Sequence, residues 1–391
     1  MLKFDLMKKI LFPILAVFLM FDTMAQDNGT SVENRVITTG VPFVLIAADA
    51  RAAGIADIGV TTSTDAFSQQ WNPAKYAFAI SKQGIGVTYT PYLSQLVNDI
   101  FLGNLVYYNR LNERSAVAAS FRYFSLGEID ARETIDQEPL TLSPNELTFD
   151  VSYSLRLSDQ FAMAVAGRYL RSDLKLQTSI EDASPGDSFG FDIAGFYQSE
   201  EIAYNEFNGR WRAGFNISNI GPKIKYDDLG QENFLPTNFS IGGGFDFLFD
   251  GYNKLGLSIE MNKLLVPTPS DSNGDGVINR EDDWYNESWF SALFTSWGDA
   301  PDGFSEELQE MTWAFGAEYW YQDVFALRTG YFYENPNKGS RQFLSLGAGF
   351  RYTTINFDLS YLFSTSSVRS PLEGTLRFGL TFNFGDEYSE Y

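Results

Sequence analysis

The stretch that decides the fold reads ELTFDVSYSLR, residues 146–156, in which polar and apolar side chains alternate without a break. Residues 375–384, TLRFGLTFNF, repeat the pattern. Because successive side chains of a β-strand point to opposite faces, each stretch predicts a strand with one apolar and one polar face. A tilted strand needs about 9 to 11 residues to cross a hydrocarbon layer, which is the length of these stretches.

The same pattern recurs between residues 84 and 384 and predicts fourteen strands. They are 84–93, 100–109, 115–126, 146–157, 160–171, 188–198, 210–219, 237–248, 252–262, 311–322, 324–333, 341–351, 354–363 and 374–384. Lipid offers no partner to unpaired backbone groups, so spanning strands must close into a barrel. The sequence therefore predicts an all-β protein, a 14-stranded antiparallel transmembrane β-barrel of the outer membrane, over residues 84–385.

The connections between these strands alternate between short and long. Outer-membrane barrels have short periplasmic turns and longer outer loops, so both termini are expected in the periplasm. The longest outer loop is 263–310, and one connection, 199–209, is rather long for a periplasmic turn. Residues 386–391 are expected to form a short periplasmic tail.

Two segments precede the barrel. In residues 1–25, Lys8 and Lys9 precede an apolar run, and small residues follow before Gln26, which is typical of a secretory signal peptide. Residues 26–83 do not alternate and are rich in small residues. They are expected to form an N-terminal plug in the barrel rather than a loose periplasmic tail, because their apolar runs are unsuited to a free tail.

The composition excludes several classes of function. The chain has no His and no Cys, so it has neither a Ser-His-Asp or Cys-His nucleophile pair nor an ordinary zinc site. Its scattered carboxylates are typical of solvated loop and lumen positions, so we expect no enzyme. A net charge of −22 makes a nucleic-acid partner a poor expectation.

One part of the long loop has the spacing of a calcium site. Residues 271–283 read DSNGDGVINREDD, with oxygen ligands at the spacing of the EF-hand and dockerin loop. The predicted calcium ligands are Asp271, Asn273, Asp275, the Val277 carbonyl, Asn279 and Asp282. Asp282 stands where an EF-hand has Glu, and an acidic surface turn is the alternative interpretation.

Aromatic residues cluster directly after this calcium motif. They are Trp284, Trp289, Phe290, Phe294 and Trp297. Such residues either pack down as a lid or serve as anchors for a partner, since Trp and other aromatics are favoured in binding hot spots. The sequence leaves both interpretations open.

Residues 45–78 read LIAADARAAGIADIGVTTSTDAFSQQWNPAKYAF. This run resembles the amino-terminal signature of the PorV (LptO) family of the type IX secretion system, a branch of the FadL-like outer-membrane barrels. The signature residues are Asp49, Arg51, Asp65, Trp71, Asn72, Pro73 and Ala74. Residues 55–56, Ile-Ala, replace the more frequent Met-Gly of that pattern.

The resemblance implies an interaction protein that binds cargo with type IX C-terminal domains at the cell surface. It further implies partners, namely the SprA/Sov translocon barrel and the PorU-type attachment complex, in a setting of outer-membrane lipid, and a link with gliding motility. The alternative is a FadL-like transporter of long-chain fatty acids or other hydrophobic molecules. Charged inward positions favour a polar plug over an apolar ligand, although lumen charges pair with one another in any barrel. These positions are Asp150, Arg156, Asp192, Glu260 and Asp358.

Overall fold

The computed structural model describes residues 35–94, 96–131, 138–174, 184–226 and 232–388. The predicted signal peptide, residues 1–25, lies outside these ranges, as do the first residues of the predicted plug and the last three of the tail. Among the described residues, no helix is both long enough and apolar enough to cross a membrane.

Within the described ranges, fourteen long strands form one antiparallel sheet in chain order. They are β1 Ser81–Pro91, β2 Ile100–Arg110, β3 Ser115–Leu126, β4 Asn145–Arg156, β5 Phe161–Asp173, β6 Gly186–Gln198, β7 Asn208–Ile220, β8 Asn238–Leu248, β9 Asn253–Leu264, β10 Thr312–Tyr321, β11 Phe325–Tyr333, β12 Gln342–Tyr352, β13 Ile355–Ser364 and β14 Leu376–Glu387. Because β1 also pairs with β14, the sheet closes into a barrel. The predicted number of strands is confirmed, and every bound lies within three residues of the expected one.

The alternating residues form a barrel with apolar side chains outside and polar side chains inside. In β4, Phe149 and Val151 are about half exposed, whereas Asp150 and Ser152 are buried. The apolar face of each strand therefore faces outward and the polar face inward, as an outer-membrane barrel requires. This arrangement confirms the predicted fold class.

The two ends of the barrel differ. At one end the strands are joined by short turns, and at the other by the long connections. Two short hairpins extend from the long-loop end, Ile129–Ala131 with Leu140–Leu142 and Ile224–Lys225 with Glu232–Asn233. At the short-turn end, Ile202–Ala203 pairs with the start of β7, which accounts for the unusual length of that turn.

Helices are short and lie outside the barrel strands. They are α1 Ala50–Ala53, α2 Ser68–Trp71, α3 Asp283–Asn286, α4 Trp289–Thr295 and α5 Phe304–Gln309, together with the 3₁₀ helices Pro42–Leu45, Pro73–Phe78 and Pro336–Lys338. Helices α3 to α5 belong to the long loop, residues 265–311, between β9 and β10. The sequence prediction did not include them.

Candidate functional site

Residues 40–80, which we call the lumen segment, lie inside the barrel. A Cβ atom added to Gly330 would lie 2.4 Å from the carbonyl carbon of Ile55, and one added to Gly214 would lie 2.7 Å from the carbonyl oxygen of Val60. These glycines belong to β11 and β7, on different parts of the wall. Only glycine leaves room for so close an approach, so the backbone of the segment rests directly on the wall.

Arg51 links the lumen segment to the barrel. Its Nε and Nη2 donate to the two carboxylate oxygens of Glu318 on β10, at 2.9 and 2.8 Å. Its Nη1 donates to Asp65 at 2.8 Å. Such a bidentate pair is strong and directional, and Arg51 is buried, so the guanidinium fixes one position of the segment.

The other signature residues hold the segment together internally. Asp49 accepts a hydrogen bond from the N–H of Ala52, which caps α1, and another from the indole N–H of Trp71 at 2.6 Å. The Asn72 side chain accepts from the N–H of Ala74 and donates to the carbonyl oxygen of Gly195 on β6 at 2.9 Å.

Pro73 and Ala74 complete this arrangement. Pro73 is the first residue of a 3₁₀ helix, where its missing N–H is not needed. Ala74 is buried against alanines of β5 and β6 and against Phe196. The structure thus brings all seven signature residues together in the lumen, where they organise the segment.

Two residues outside the seven signature residues complete the hydrogen-bond network of the lumen segment. Lys75 is fully buried, and its Nζ donates to the Gly59 carbonyl at 2.7 Å and to the Thr62 hydroxyl at 3.0 Å. Burial lowers the pKa of Lys75 to about 8. Glu260 on β9 accepts from the N–H groups of Gly59 and Val60, both at 3.0 Å. The sequence predicted Glu260 as an inward charge, but nothing in it identified the partner.

Cavities lie on both sides of the lumen segment. The cavity at the long-loop end has a volume of about 1010 Å³, and many of its lining side chains are apolar, among them Val36, Phe43, Val44, Phe124, Leu264 and Phe343. The cavity at the short-turn end has about 900 Å³ and is lined by many charged side chains, among them Arg210, Arg212, Asp246, Glu318, Arg351 and Asp358. The chemistry of the two cavities therefore differs.

The predicted calcium loop is closed by its own hydrogen bonds. Asp271 accepts from the N–H groups of Gly274 and Gly276 at 2.7 and 2.8 Å. Asp282 accepts from the N–H groups of Asn279 and Ser272 at 2.8 and 2.9 Å, and these bonds lower its pKa. Within the described ranges, no group of three or more His, Cys, Asp or Glu side chains is arranged to hold a metal. The calcium site stays a prediction.

The predicted docking aromatics divide into two sets. Trp284 is half-buried, and Trp289 packs against a small core at the rim that contains Phe234 and Val266. Phe290 and Trp297 are exposed, as is Phe294. Trp284 and Trp289 therefore pack down as part of a lid, whereas Phe290, Phe294 and Trp297 are largely uncovered.

A cluster of buried charges fastens the long loop to the barrel. We call it the rim latch; it consists of Arg35, Lys263, Lys338, Glu306, Glu307 and Glu310. Lys263 on β9 donates to Glu307 and Glu310 of the loop at 2.9 and 2.6 Å. Lys338 donates to Glu306 at 2.6 Å and to Glu310 at 3.0 Å.

Asp299 lies beside the rim latch and accepts from the N–H of Thr268 at 3.0 Å. Burial raises the pKa of Asp299 to about 6, and the charges of Glu307 and Glu310 act in the same direction. The carboxyl group is therefore expected to change its charge in a mildly acidic range.

Comparison with known proteins identifies one matching family. A family model described as the type IX secretion system protein PorV matches residues 29–271, more than half of the chain. Among solved structures, a Pseudomonas aeruginosa FadL homologue has 12% identity and a TM-score of 0.45, covering 90% of this chain and 100% of that one. The Ralstonia pickettii toluene transporter TbuX has 9% identity and a TM-score of 0.47, covering 88% and 100%. No curated protein matches the chain.

Proposed function

Since the chain belongs to the PorV family of type IX secretion system proteins, we propose that this outer-membrane barrel binds the C-terminal signal domains of secreted proteins at the cell surface. In this role it docks on the SprA/Sov translocon and passes cargo to the PorU-type attachment complex. The role is one of binding, without a catalytic step. The family match confirms the resemblance found in residues 45–78.

The orientation follows from the two ends of the barrel. The long loops face outward and the short turns face the periplasm, as in other outer-membrane barrels. The end of β14 lies at the short-turn end and is periplasmic in this proposal, whereas Arg35, the first described residue, pairs with Glu306 of the long loop at the opposite end. The long-loop end is then the surface that meets cargo.

The observation that carries the proposal, beyond the family match, is the way in which the lumen segment is held. Arg51 pairs with Glu318 and Asp65 inside the barrel, and breaking such a buried pair costs about 3–5 kcal/mol. A segment held this firmly favours a barrel that serves as a scaffold over one that opens for each molecule it moves. Binding residues commonly lie on loops that a rigid scaffold supports, which favours the outer rim.

Calcium binding at Asp271, Asn273, Asp275, Val277, Asn279 and Asp282 is part of this proposal. The ion would stiffen the part of the long loop nearest the aromatic residues, with a Kd of about 10⁻⁴ to 10⁻³ M, as in other extracellular modules. Isothermal titration of the purified protein should detect calcium binding that Asp275→Ala weakens. The proposal fails if the protein binds no calcium, or if Asp275→Ala leaves the affinity unchanged.

A second candidate function is transport of a hydrophobic molecule. The observation that favours it is the cavity of about 1010 Å³ at the long-loop end, with its many apolar side chains. A long-chain fatty acid would fit the chemistry of this lining. Transport would require the lumen segment to move, which the contacts of Arg51, Asn72 and Gly59 with the wall oppose.

Affinity purification from detergent-solubilised membranes distinguishes the two functions. The tagged protein should recover secreted proteins that share a C-terminal domain, together with a very large barrel. A variant that lacks residues 284–297 serves as a control for the contribution of the long loop. Recovery of bound fatty acid, without any protein partner, would overturn the secretion role and support transport.

A further inference from the structure

Two residues at the rim identify the outward face of β8 and β9. Phe239 and Lys263 are paired directly across the two strands. Glu260 points inward, because it binds the lumen segment, and Ile241 is exposed on the outer side. Since side chains alternate along a strand, Phe239 and Lys263 both face outward, on the side that meets lipid lower down the wall.

The long loop covers both of these outward residues. The Trp297 ring packs edge-on against Phe239, with 5.4 Å between the ring centroids. Lys263 is buried by Glu307 and Glu310 of the same loop. The loop therefore folds over the outside of the wall at the rim as well as over the barrel mouth.

The helices of the loop expose apolar side chains at this position. On α4, Ala292 is buried, while Phe290 and Phe294 are 59% and 68% exposed. The i, i+4 spacing of Phe290 and Phe294 places them on one face of α4, and Trp297 follows two residues after the helix ends.

Helix α5 has the same reversed polarity. Glu306 and Glu307 are buried in the rim latch, whereas Phe304 is 74% exposed and Leu308 is also exposed. A surface helix in water normally buries its apolar face and exposes its charged face. Both helices therefore expose apolar side chains on their outer face, as the barrel strands do.

We propose that α4 and α5 lie in the interface of the outer leaflet, with Phe290, Phe294 and Trp297 inserted at the boundary between lipid headgroups and acyl chains. The contact between Trp297 and Phe239 makes this aromatic face continuous with the lipid-facing wall. Aromatic residues are favoured at that depth of the membrane. The occupant of the exposed face is the lipid surface itself, and the inference does not depend on the cargo-binding role.

The absence of cysteine from the chain allows a direct test by site-specific labelling. The variant Phe294→Cys carries an environment-sensitive fluorophore and is reconstituted in phosphatidylcholine vesicles that contain nitroxide-labelled phosphatidylcholine. Its emission should shift to the blue and be quenched at least severalfold by the labelled lipid. The matched control is Leu140→Cys in a hairpin at the same end of the barrel, which is 52% exposed and should remain in water, unquenched.

A second labelled variant guards against a local effect of the dye. Phe290→Cys lies one turn earlier on the same face and should give the same quenching as Phe294→Cys. The inference is overturned if both labels behave like the label at residue 140 in lipid. It is also overturned if they become protected only when a protein partner is added, since the face would then be a protein-docking surface.

Discussion

The lumen segment and the long loop are fastened to the same barrel in different ways. The lumen segment rests on glycines such as Gly330 and Gly214 and is tied to the wall by buried groups, among them Arg51 and Glu260. The long loop is fastened at the rim through the ion pairs of Lys263 and Lys338, and much of its aromatic surface is uncovered. The interior therefore provides rigidity, whereas the rim offers surface for binding.

Loss of the Arg51 anchor should have the largest effect. Arg51→Met removes the partner of Asp65 and one of the two arginine partners of Glu318, the other being Arg328, which should lower the free energy of unfolding by about 3 kcal/mol. Urea unfolding of the protein in vesicles measures this change. The control, Lys82→Met, removes an exposed pair with Asp386 at 3.6 Å and should cost about 0–1 kcal/mol. Equal costs for the two variants would contradict a rigid lumen segment.

A smaller effect should follow from one methyl group in the wall. The Cβ of Gly330→Ala would meet the backbone of Ile55 at 2.4 Å, so overpacking should cost about 1–3 kcal/mol in the same unfolding experiment. Gly167→Ala on β5 has no atom within 4 Å of the added Cβ and should be nearly neutral. If Gly330→Ala leaves the free energy of unfolding unchanged, the segment is held more loosely than its contacts indicate.

Breaking the rim latch should affect the loop and spare the barrel. Lys263→Met removes two charge-assisted hydrogen bonds to Glu307 and Glu310, a loss of about 2 kcal/mol locally. Hydrogen exchange of residues 289–311 should then become roughly thirtyfold faster, with the strands unchanged. Lys254→Met, at the other end of β9, removes only a partly exposed pair with Asp323 and should leave the loop as it was. Slower exchange, or loss of the barrel, would refute the latch.

The smallest effect is a pH dependence of the same loop. The folded pKa of Asp299 is raised to about 6, above its usual 3.8, so its contribution to stability is present below about pH 4 and is lost as the pH rises through 6. The protection of the loop, taken as its exchange rate relative to that of an unstructured peptide at the same pH, should be greater at pH 5 than at pH 8 by about 1 kcal/mol after allowance for partial exposure. Asp299→Asn should remove this pH dependence. If the variant keeps the pH dependence of the normal protein, other titrating groups cause it.

The sequence predicted the barrel well because a period of two is a local signal. Each strand from β1 to β14 could be located from its own residues, without knowledge of its neighbours. The contacts of the lumen segment are different in kind, since Arg51 meets Glu318 and Gly59 meets Glu260, both about two hundred residues or more away. No pattern within one sequence identifies such pairs.

The long loop was the least predictable part for another reason. The aromatic cluster was visible in the sequence, but α4 exposes Phe290 and Phe294 where a helix in water would bury them. The buried glutamates Glu306 and Glu307 would, in the same way, be assigned to the surface. Helix patterns derived from proteins in water fail for helices whose exposed face contacts lipid.

The central claim is that the protein works at its outer rim around a lumen segment that stays in place. A Cβ at residue 379 would lie 3.6 Å from the Cβ of Ala50, a distance suited to a disulfide. Oxidation of the double variant Ala50→Cys, Gly379→Cys therefore locks the segment to β14. Recovery of type IX cargo by the oxidised protein should equal that by the reduced protein. Loss of cargo binding on oxidation, restored by a reducing agent, would contradict the claim, because the segment would then have to move.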